Sequence, residues 1–168
     1  LTGTLDTLPE YSHTNHDRKF YRLTLQVERL SGAIDTLPVL AAEDVLEAAD
    51  LFQGQHICVT GQIRSFNNRS AEGRRLIIST YAETITTTDA PPQNDVSLTG
   101  SICKPPVYRR TPLGREICDV MLAVPRQYRR TDYIPCILWG RSAQAVSEAL
   151  PGTKLHLTGR LQSRDYVK

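Results

Sequence analysis

The sequence predicts an all-β protein built from two copies of one small barrel, and three observations support this. The chain repeats itself at a nearly constant offset, each copy contains a similar series of strands with one short helix, and a polar, Pro-containing segment separates the copies. The 168 residues suffice for one ordinary domain or two small ones, and a hydrophobic content of 40% predicts a packed core. No apolar run approaches the roughly 18 residues that a membrane helix needs.

The repeat is visible as pairs of matching residues. LTG at residues 1–3 recurs at residues 98–100, an offset of 97, and VTG at residues 59–61 parallels LTG at residues 157–159, an offset of 98. Further pairs at these offsets are Val27 and Val124, Arg29 and Arg126, Asp35 and Asp132, Pro38 and Pro135, Gly54 and Gly152, and Ser65 and Ser163. A fixed offset over so many positions indicates two copies of one fold.

The boundary between the copies lies near DAPPQN at residues 89–94, where two prolines and polar residues mark a linker. We therefore expect a first domain over residues 1–89, a linker over 90–94 and a second domain over 95–168. Residues 1–93 hold 8 Lys/Arg and 12 Asp/Glu, whereas residues 94–168 hold 12 and 6. This asymmetry indicates that only the second, basic half meets a polyanion.

Alternating apolar residues predict the strands, and apolar residues at helical spacing predict one helix in each copy. For the first copy the predicted elements are Leu1–Leu5, Phe20–Arg29, Ala33–Leu40, the helix Glu43–Leu51, His56–Ile63 and Arg75–Thr86. For the second they are Val96–Ile102, Ile117–Pro125, Asp132–Leu138, the helix Ser142–Leu150 and Lys154–Leu161. This order predicts two tandem OB-folds, five-stranded Greek-key barrels. Because the second copy lacks a fifth strand, we expect that the chain continues or that a partner closes the barrel.

Residues 119–140, DVMLAVPRQYRRTDYIPCILWG, combine two apolar strands with an Arg-rich loop. Rings interleaved with guanidinium groups suit an unpaired nucleic acid, because bases stack on rings and phosphates pair with fixed positive charge. Tyr133 and Trp139 are six residues apart on one strand and therefore share a face. Pro135 between them places this strand at a sheet edge or at a bulge. The alternative is that Trp139 is an ordinary packing residue of the core.

Two Arg clusters are candidates for phosphate contacts. One surrounds Tyr128 in the loop between the two strands, and the other flanks TPLG at residues 111–114, where Pro and Gly set a turn. Either cluster could instead keep an exposed hairpin tip in solution. The candidate residues are Arg109, Arg110, Arg115, Arg126, Arg129 and Arg130.

Catalysis is not expected, because the sequence holds no Ser-His-Asp arrangement, no phosphate-binding Gly-rich loop and no dinucleotide fingerprint. No cofactor and no metal are expected either. His13 and His16 are three residues apart but have no Cys or further His near them in the sequence. The cysteines form no CxxC pair and are expected to be buried, reduced thiols. They are Cys58, Cys103, Cys118 and Cys136.

The second copy resembles bacterial single-stranded DNA-binding proteins. The matching text is NDVSLTGSI, RRTPLGREICDVMLAVPR, DYIPCILWGRSAQAVSEAL and GTKLHLTGRLQSRDYVK, which covers nearly all of Asn94–Lys168. The first copy resembles a diverged member of the same family. Two copies in one chain resemble the two-barrel versions of this protein in some bacteria.

The resemblance implies base-stacking rings at four positions, which are Tyr128, Tyr133, Trp139 and Tyr166. Alternating with the last of these, Arg160, Arg164 and Lys168 would form the far wall of the groove. The same four positions in the first copy hold Ser31, Thr36, Ala42 and Asn68, none of which is a ring. The resemblance therefore implies one barrel competent to bind DNA and an assembly role for the other.

We thus expect a protein that binds single-stranded DNA without strong sequence preference in replication, recombination and repair, in the bacterial cytoplasm at the nucleoid. Family members usually assemble four barrels, which implies a homodimer here, with replication and repair proteins as possible partners and no membrane association. Three alternatives remain open. They are a protein-interaction or primosome-type OB module, an RNA-binding OB protein, and the anticodon-binding part of an enzyme.

Overall fold

A computed structural model describes the backbone of residues 1–70 and 73–163 and the side chains of residues 1–67 and 76–163. The first repeat forms β1 (Thr2–Asn15), β2 (Arg18–Glu28), β3 (Ile34–Ala42), α1 (Glu43–Glu47), β4 (His56–Ser70) and β5 (Gly73–Thr87). The second forms β6 (Val96–Ile102), β7 (Val107–Arg110), β8 (Glu116–Arg126), β9 (Arg130–Trp139), α2 (Arg141–Val146) and β10 (Lys154–Gly159). Within the described residues, neither helix has the length or the apolar character needed to cross a membrane.

The first repeat closes into a barrel with the strand order β1-β2-β3-β5-β4. Strand β1 pairs antiparallel with both β2 and β4, and β3 pairs with β5 in parallel, which is what closes the sheet on itself. Every second residue of β2 and β3 faces the interior, so that Leu23, Leu25, Leu37 and Val39 lie in the core. The predicted barrel is confirmed.

The second repeat forms a five-stranded sheet in which β10, β6, β8 and β7 follow one another and β9 pairs with β8. The β8–β9 pair runs without a register shift from Ile117 opposite Trp139 to Arg126 opposite Arg130. The inward face, including Val120, packs against the small helix α2. The all-β prediction with two tandem copies of one fold is confirmed.

The two repeats differ at their first strand. Strand β1 is continuous over Thr2–Asn15, whereas its counterpart is divided into β6 and β7 by residues 103–106, which include Pro105 and Pro106. Proline cannot donate a ladder hydrogen bond, and two in succession end the strand, whereas the single Pro9 of β1 lies at a register shift within a continuing strand. The predicted strand Leu1–Leu5 was therefore too short and β7 was missed.

The LTG triplets at residues 1–3 and 98–100 have a packing reason. A Cβ atom added at Gly3 would overlap the carbonyl oxygen of Gln26, and one added at Gly100 would overlap that of Ala123. Each glycine thus lets the first strand of its repeat cross closely over the next. The glycine recurs in the second repeat because the same close approach of two strands recurs there.

The compact units of the structure are not contiguous in sequence. Unit 1 comprises residues 1–64, 78–96 and 159–168, and unit 2 comprises residues 65–77 and 97–158. The contiguous division expected from the sequence, 1–89 and 95–168, differs from this because each unit takes in a segment of the other repeat. The end of β4 from Ser65 and the start of β5 up to Ile77 belong to unit 2, and residues 160–163 belong to unit 1.

Candidate nucleic-acid interface

The outer face of β9 carries the two rings that the sequence placed together. Tyr133 is 44% exposed and Trp139 is 45% exposed, with Ile137 at 39% between them. Ile134 and Leu138 alternate with these residues and are buried on the opposite face. Trp139 is therefore a half-exposed surface residue, and the alternative that it belongs to the core is wrong.

Local geometry holds Trp139 at the end of its strand. Its cross-strand partner Ile117 is only 4% exposed and supports it from β8. The next residue, Gly140, has a φ of 58°, a conformation that favours glycine, and donates its N–H to the Glu116 carbonyl oxygen at 3.0 Å. The guanidinium of Arg115 lies 5.9 Å from the centre of the indole ring. A flat ring with an adjacent fixed charge is thus presented on the outer face.

The loop between β8 and β9 presents Tyr128. Its side chain is 91% exposed, and its backbone is left-handed, with a φ of 64°. Arg129 follows with a φ of 58°. This conformation disfavours residues with a Cβ by roughly 1–2 kcal/mol each. A ring and a cation thus occupy positions at which glycine would be more stable.

Two of the candidate arginines are already paired with carboxylates. Arg109 lies 3.2 Å from Asp119 and Arg110 lies 3.3 Å from Glu116, both pairs bridging β7 and β8. The Gln144 side chain, followed by other hydrogen bonds and by Arg110, lowers the pKa of Glu116 and keeps it ionised. Exposed pairs of this kind contribute little to stability, but they offset the charge offered to a phosphate.

The arginines of the β8–β9 loop differ among themselves. Arg129 and Arg130 are exposed, and among the described residues no carboxylate lies within ion-pair distance of either. Arg126 is mostly buried, and its Nε lies 3.2 Å from Asp132, although the N–H does not point along a hydrogen bond. Arg129 and Arg130 are therefore the arginines of this loop whose charge is free to meet a polyanion.

Asp132 is a buried carboxylate that sequence reasoning did not identify as part of this site. It is 1% exposed, and its Oδ1 accepts a hydrogen bond from the Ser65 backbone N–H at 2.9 Å. The Ser65 hydroxyl oxygen in turn accepts from the Tyr133 N–H at 2.7 Å. All three residues belong to unit 2. The one signal in the sequence was that Ser65 and Asp132 both match residues of the other repeat.

Several predicted residues lie elsewhere. Tyr166, Arg164 and Lys168 lie outside the described residues. Arg160 belongs to unit 1, where its charge helps to lower the pKa of Asp35, behind the larger contribution of the hydrogen bonds from Arg29. The structure therefore does not group Arg160 with the rings of unit 2.

The corresponding positions in the first repeat carry no exposed ring. Ser31 and Thr36 are exposed, Ala42 is 1% exposed, and the side chain of Asn68 lies outside the described ones. Phe20, a ring on the neighbouring strand β2, is buried beneath His13. The first repeat therefore offers no counterpart of the Tyr133–Trp139 face.

The described residues contain no group of three His, Cys, Asp or Glu side chains that could hold a metal ion. The prediction of four buried thiols is wrong for Cys103, which is exposed because it lies where the proline-containing segment leaves β6, and Cys58 and Cys136 are only half-buried. Cys118 is buried, and burial raises the pKa of Cys136 to about 11, so that this thiol stays protonated.

Comparison with known proteins gives matches to the second repeat and to the whole chain. The profile of the single-strand binding protein family matches residues 93–168. Over 80 residues the chain is 39% identical to single-stranded DNA-binding protein 1 of Staphylococcus aureus and 38% identical to single-stranded DNA-binding protein A of Bacillus subtilis. These alignments cover 44% of this chain and 48% and 46% of the relatives. The chain spans about half the length of the curated relatives it matches.

The solved structures extend the match to both repeats. The wild-type single-stranded DNA-binding protein of Thermus aquaticus superimposes with a TM-score of 0.77 and 27% identity, over 96% of this chain and 82% of that one. The architecture of both repeats is thus that of a protein of this kind, and the sequence match falls on the repeat that carries the exposed rings. Residues 93–168 thus match the single-strand binding protein family, and the fold of the whole chain is similar to that of the Thermus aquaticus protein.

Proposed function

We propose that this protein binds single-stranded DNA without strong sequence preference, and that unit 2 carries the binding face. The observation that supports this most directly is the pair of half-exposed rings, Tyr133 and Trp139, on one face of β9. Bases stack on such rings whatever their identity, with a contribution of roughly 1–3 kcal/mol each. Binding of this kind needs no catalytic group.

Positive charge completes the face. Arg115 lies beside Trp139, and Arg129 and Arg130 extend from the loop that presents Tyr128. Guanidinium groups that neutralise phosphates release counterions, so the affinity falls as salt is added. The matched relatives are named single-stranded DNA-binding proteins, which agrees with this assignment.

The wider role follows from the proposed binding. We propose that the protein coats unpaired DNA at the bacterial nucleoid during replication, recombination and repair. The first repeat, acidic and without exposed rings at the matching positions, would serve assembly. Two chains would then form a homodimer with four barrels, to which replication and repair proteins could attach.

The test uses Trp139, the chain's one tryptophan. Titration with oligo-dT at low salt should strongly quench its fluorescence, because a stacked base contacts the indole directly. The quenched complex should dissociate as salt is raised, with a linear dependence of log affinity on log salt concentration. A parallel titration with oligo-U measures any preference between DNA and RNA. Unchanged fluorescence with both polymers at low salt would overturn the assignment of this face.

A further inference from the structure

We propose that Ser65, a residue of the first repeat, positions the stacking ring of Tyr133 in the second. This inference rests on the proposed function, since it concerns how that face is held. Ser65 lies in β4, far from Tyr133 in sequence, and yet both belong to unit 2. Neither composition nor motif marks it as a binding residue.

Two hydrogen bonds fix the start of β9 to Ser65. The Ser65 N–H donates to Oδ1 of Asp132 at 2.9 Å, and the Tyr133 N–H donates to the Ser65 hydroxyl at 2.7 Å. One serine thus holds two consecutive residues through both its backbone and its side chain. The Tyr133 backbone therefore has little freedom, and the direction in which its Cα–Cβ bond leaves the strand is set with it.

The contact with Ser65 lies at an edge of β9 where it can restrain the strand. Among the described residues, β9 pairs with β8 alone, so no strand forms a hydrogen-bonded ladder along its other edge. An edge that lacks a ladder is free to fray, and Tyr133 lies in the first half of the strand. Ser65 supplies, at that edge, the one acceptor that the Tyr133 N–H has among the described contacts.

The same arrangement occurs a second time in unit 1. The Ser163 N–H donates to Oδ1 of Asp35 at 3.1 Å, and the Thr36 N–H donates to the Ser163 hydroxyl at 2.9 Å. Asp35 is 0% exposed, as Asp132 is 1% exposed, so both carboxylates depend on protein partners. Identical hydrogen bonding at equivalent positions of the two repeats indicates that this contact is a regular feature of the fold.

The two copies of the contact differ in what they hold. In unit 1 the residue after the aspartate is Thr36, whose side chain offers no ring to a base, and in unit 2 it is Tyr133. The serine contact is therefore structural in both units, but only in unit 2 does it carry a proposed ligand-binding side chain. Ser163 thus provides a matched control for Ser65.

The experiment compares Ser65→Ala with Ser163→Ala in the full chain. Both changes remove one hydroxyl acceptor and should lower the unfolding midpoint by similar amounts. We expect Ser65→Ala to weaken oligo-dT binding by about threefold to tenfold, because part of one stacking contact is lost. Stacking involves no phosphate, so the slope of log affinity against log salt should not change. Ser163→Ala should bind as the wild type does.

Two further variants keep the test decisive. Ser65→Thr retains the hydroxyl and should restore the wild-type affinity. Ser65→Cys keeps nearly the same volume but is a poor acceptor, and should resemble Ser65→Ala even if the alanine variant folds badly. Equal affinities of the wild type and both Ser65→Cys and Ser65→Ala, or equal losses in Ser65→Ala and Ser163→Ala, would overturn the positioning role. A wild type that fails to bind oligo-dT would instead overturn the proposed function.

Discussion

The two-stranded ribbons β2–β3 and β8–β9 have the same strand pairing and differ in the side chains that they expose. Thr36 lies opposite Gln26 in the first ribbon, and in the second Tyr133 lies opposite Ala123, which is the same register displaced by 97 residues. Neither ribbon has a register shift in its paired residues. Any difference in function must therefore come from side chains, because the strands themselves are equivalent.

At the equivalent end of each ribbon lies a large ring, Phe20 in the first and Trp139 in the second, but on opposite strands. In β2–β3, Phe20 lies opposite Ala42, and in β8–β9, Ile117 lies opposite Trp139. His13 stacks on Phe20 with the ring centres 5.0 Å apart and an angle of 14°. The first ring is consequently buried, whereas Trp139 stays open. The comparison teaches that the exposure of a ring, rather than its presence, separates a packing residue from a stacking one.

The largest effect should come from removing the open ring. We expect Trp139→Ala to weaken oligo-dT binding by up to about 3 kcal/mol, or roughly two orders of magnitude, because one base loses its stacking surface. Fluorescence anisotropy of a labelled oligonucleotide measures the affinity without the tryptophan. Phe20→Leu is the control, since it removes the buried ring while keeping an apolar side chain. A loss of affinity in Phe20→Leu equal to that in Trp139→Ala would break the distinction between the ribbons.

The second prediction concerns the buried carboxylates. Arg29 donates two hydrogen bonds to Asp35, at 2.6 and 2.8 Å, and these lower the pKa of Asp35. A carboxyl whose pKa is lower in the folded state stabilises the fold above its unfolded pKa of about 3.9, and that stabilisation is lost as the pH falls through the folded pKa. Asp35→Asn should therefore cost about 2 kcal/mol at neutral pH and less in acid. Urea unfolding from about pH 6 to pH 2 measures this.

Asp132→Asn serves as the comparison for that change. Its arginine, Arg126, makes a single contact without hydrogen-bond geometry, so we expect a smaller loss at neutral pH. Equal losses for Asp35→Asn and Asp132→Asn would show that the two aspartates are equivalent despite their different partners. A loss for Asp35→Asn that did not shrink in acid would contradict the assigned direction of the pKa shift.

A third prediction separates stability from binding at the β8–β9 loop. Tyr128→Gly should stabilise the fold by up to about 1 kcal/mol, because glycine adopts the left-handed backbone without strain. The same change should weaken oligo-dT binding by about 1 kcal/mol, because an exposed ring is lost. Thermal unfolding and anisotropy titration of one preparation measure both. Unchanged affinity would show that the exposed Tyr128 ring does not contribute to oligo-dT binding.

The smallest effect concerns the free and the paired arginines. Arg129→Gln should reduce the steepness of log affinity against log salt by about 0.7, the value for one phosphate contact on a single strand. Arg109→Gln should reduce it less, because Asp119 already offsets that charge. Titrations at several salt concentrations give the slopes. A larger change for Arg109 than for Arg129 would contradict the assignment of the free charges.

The sequence predicted the fold well where periodicity carries the information. The alternation along β9 placed Tyr133 and Trp139 on one face, and Pro135 correctly indicated an edge strand. The helices were predicted too long, to Leu51 and Leu150 rather than Glu47 and Val146, because apolar residues at helical spacing continue past the last turn. Element boundaries depend on tertiary packing that a local pattern does not contain.

Other features of the site have no local signature. The left-handed backbone at Tyr128 could not be predicted, since neither glycine nor asparagine marks it. The contact of Ser65 with Asp132 joins residues 67 positions apart, a distance over which spacing carries no information. Only the pairing of both residues with members of the other repeat hinted at a shared role.

The exchange of segments between repeats has a consequence for synthesis on the ribosome. The backbone N–H that reaches Asp35 belongs to Ser163, 128 residues later. A nascent first repeat therefore emerges with a buried carboxylate that lacks one of its partners until almost the whole described chain has been translated. The first repeat therefore reaches its full stability only late in synthesis, as expected for contacts of high sequence separation. A chain whose translation ends near the linker would thus contain a first barrel that is less resistant to proteolysis than the same residues in the finished protein.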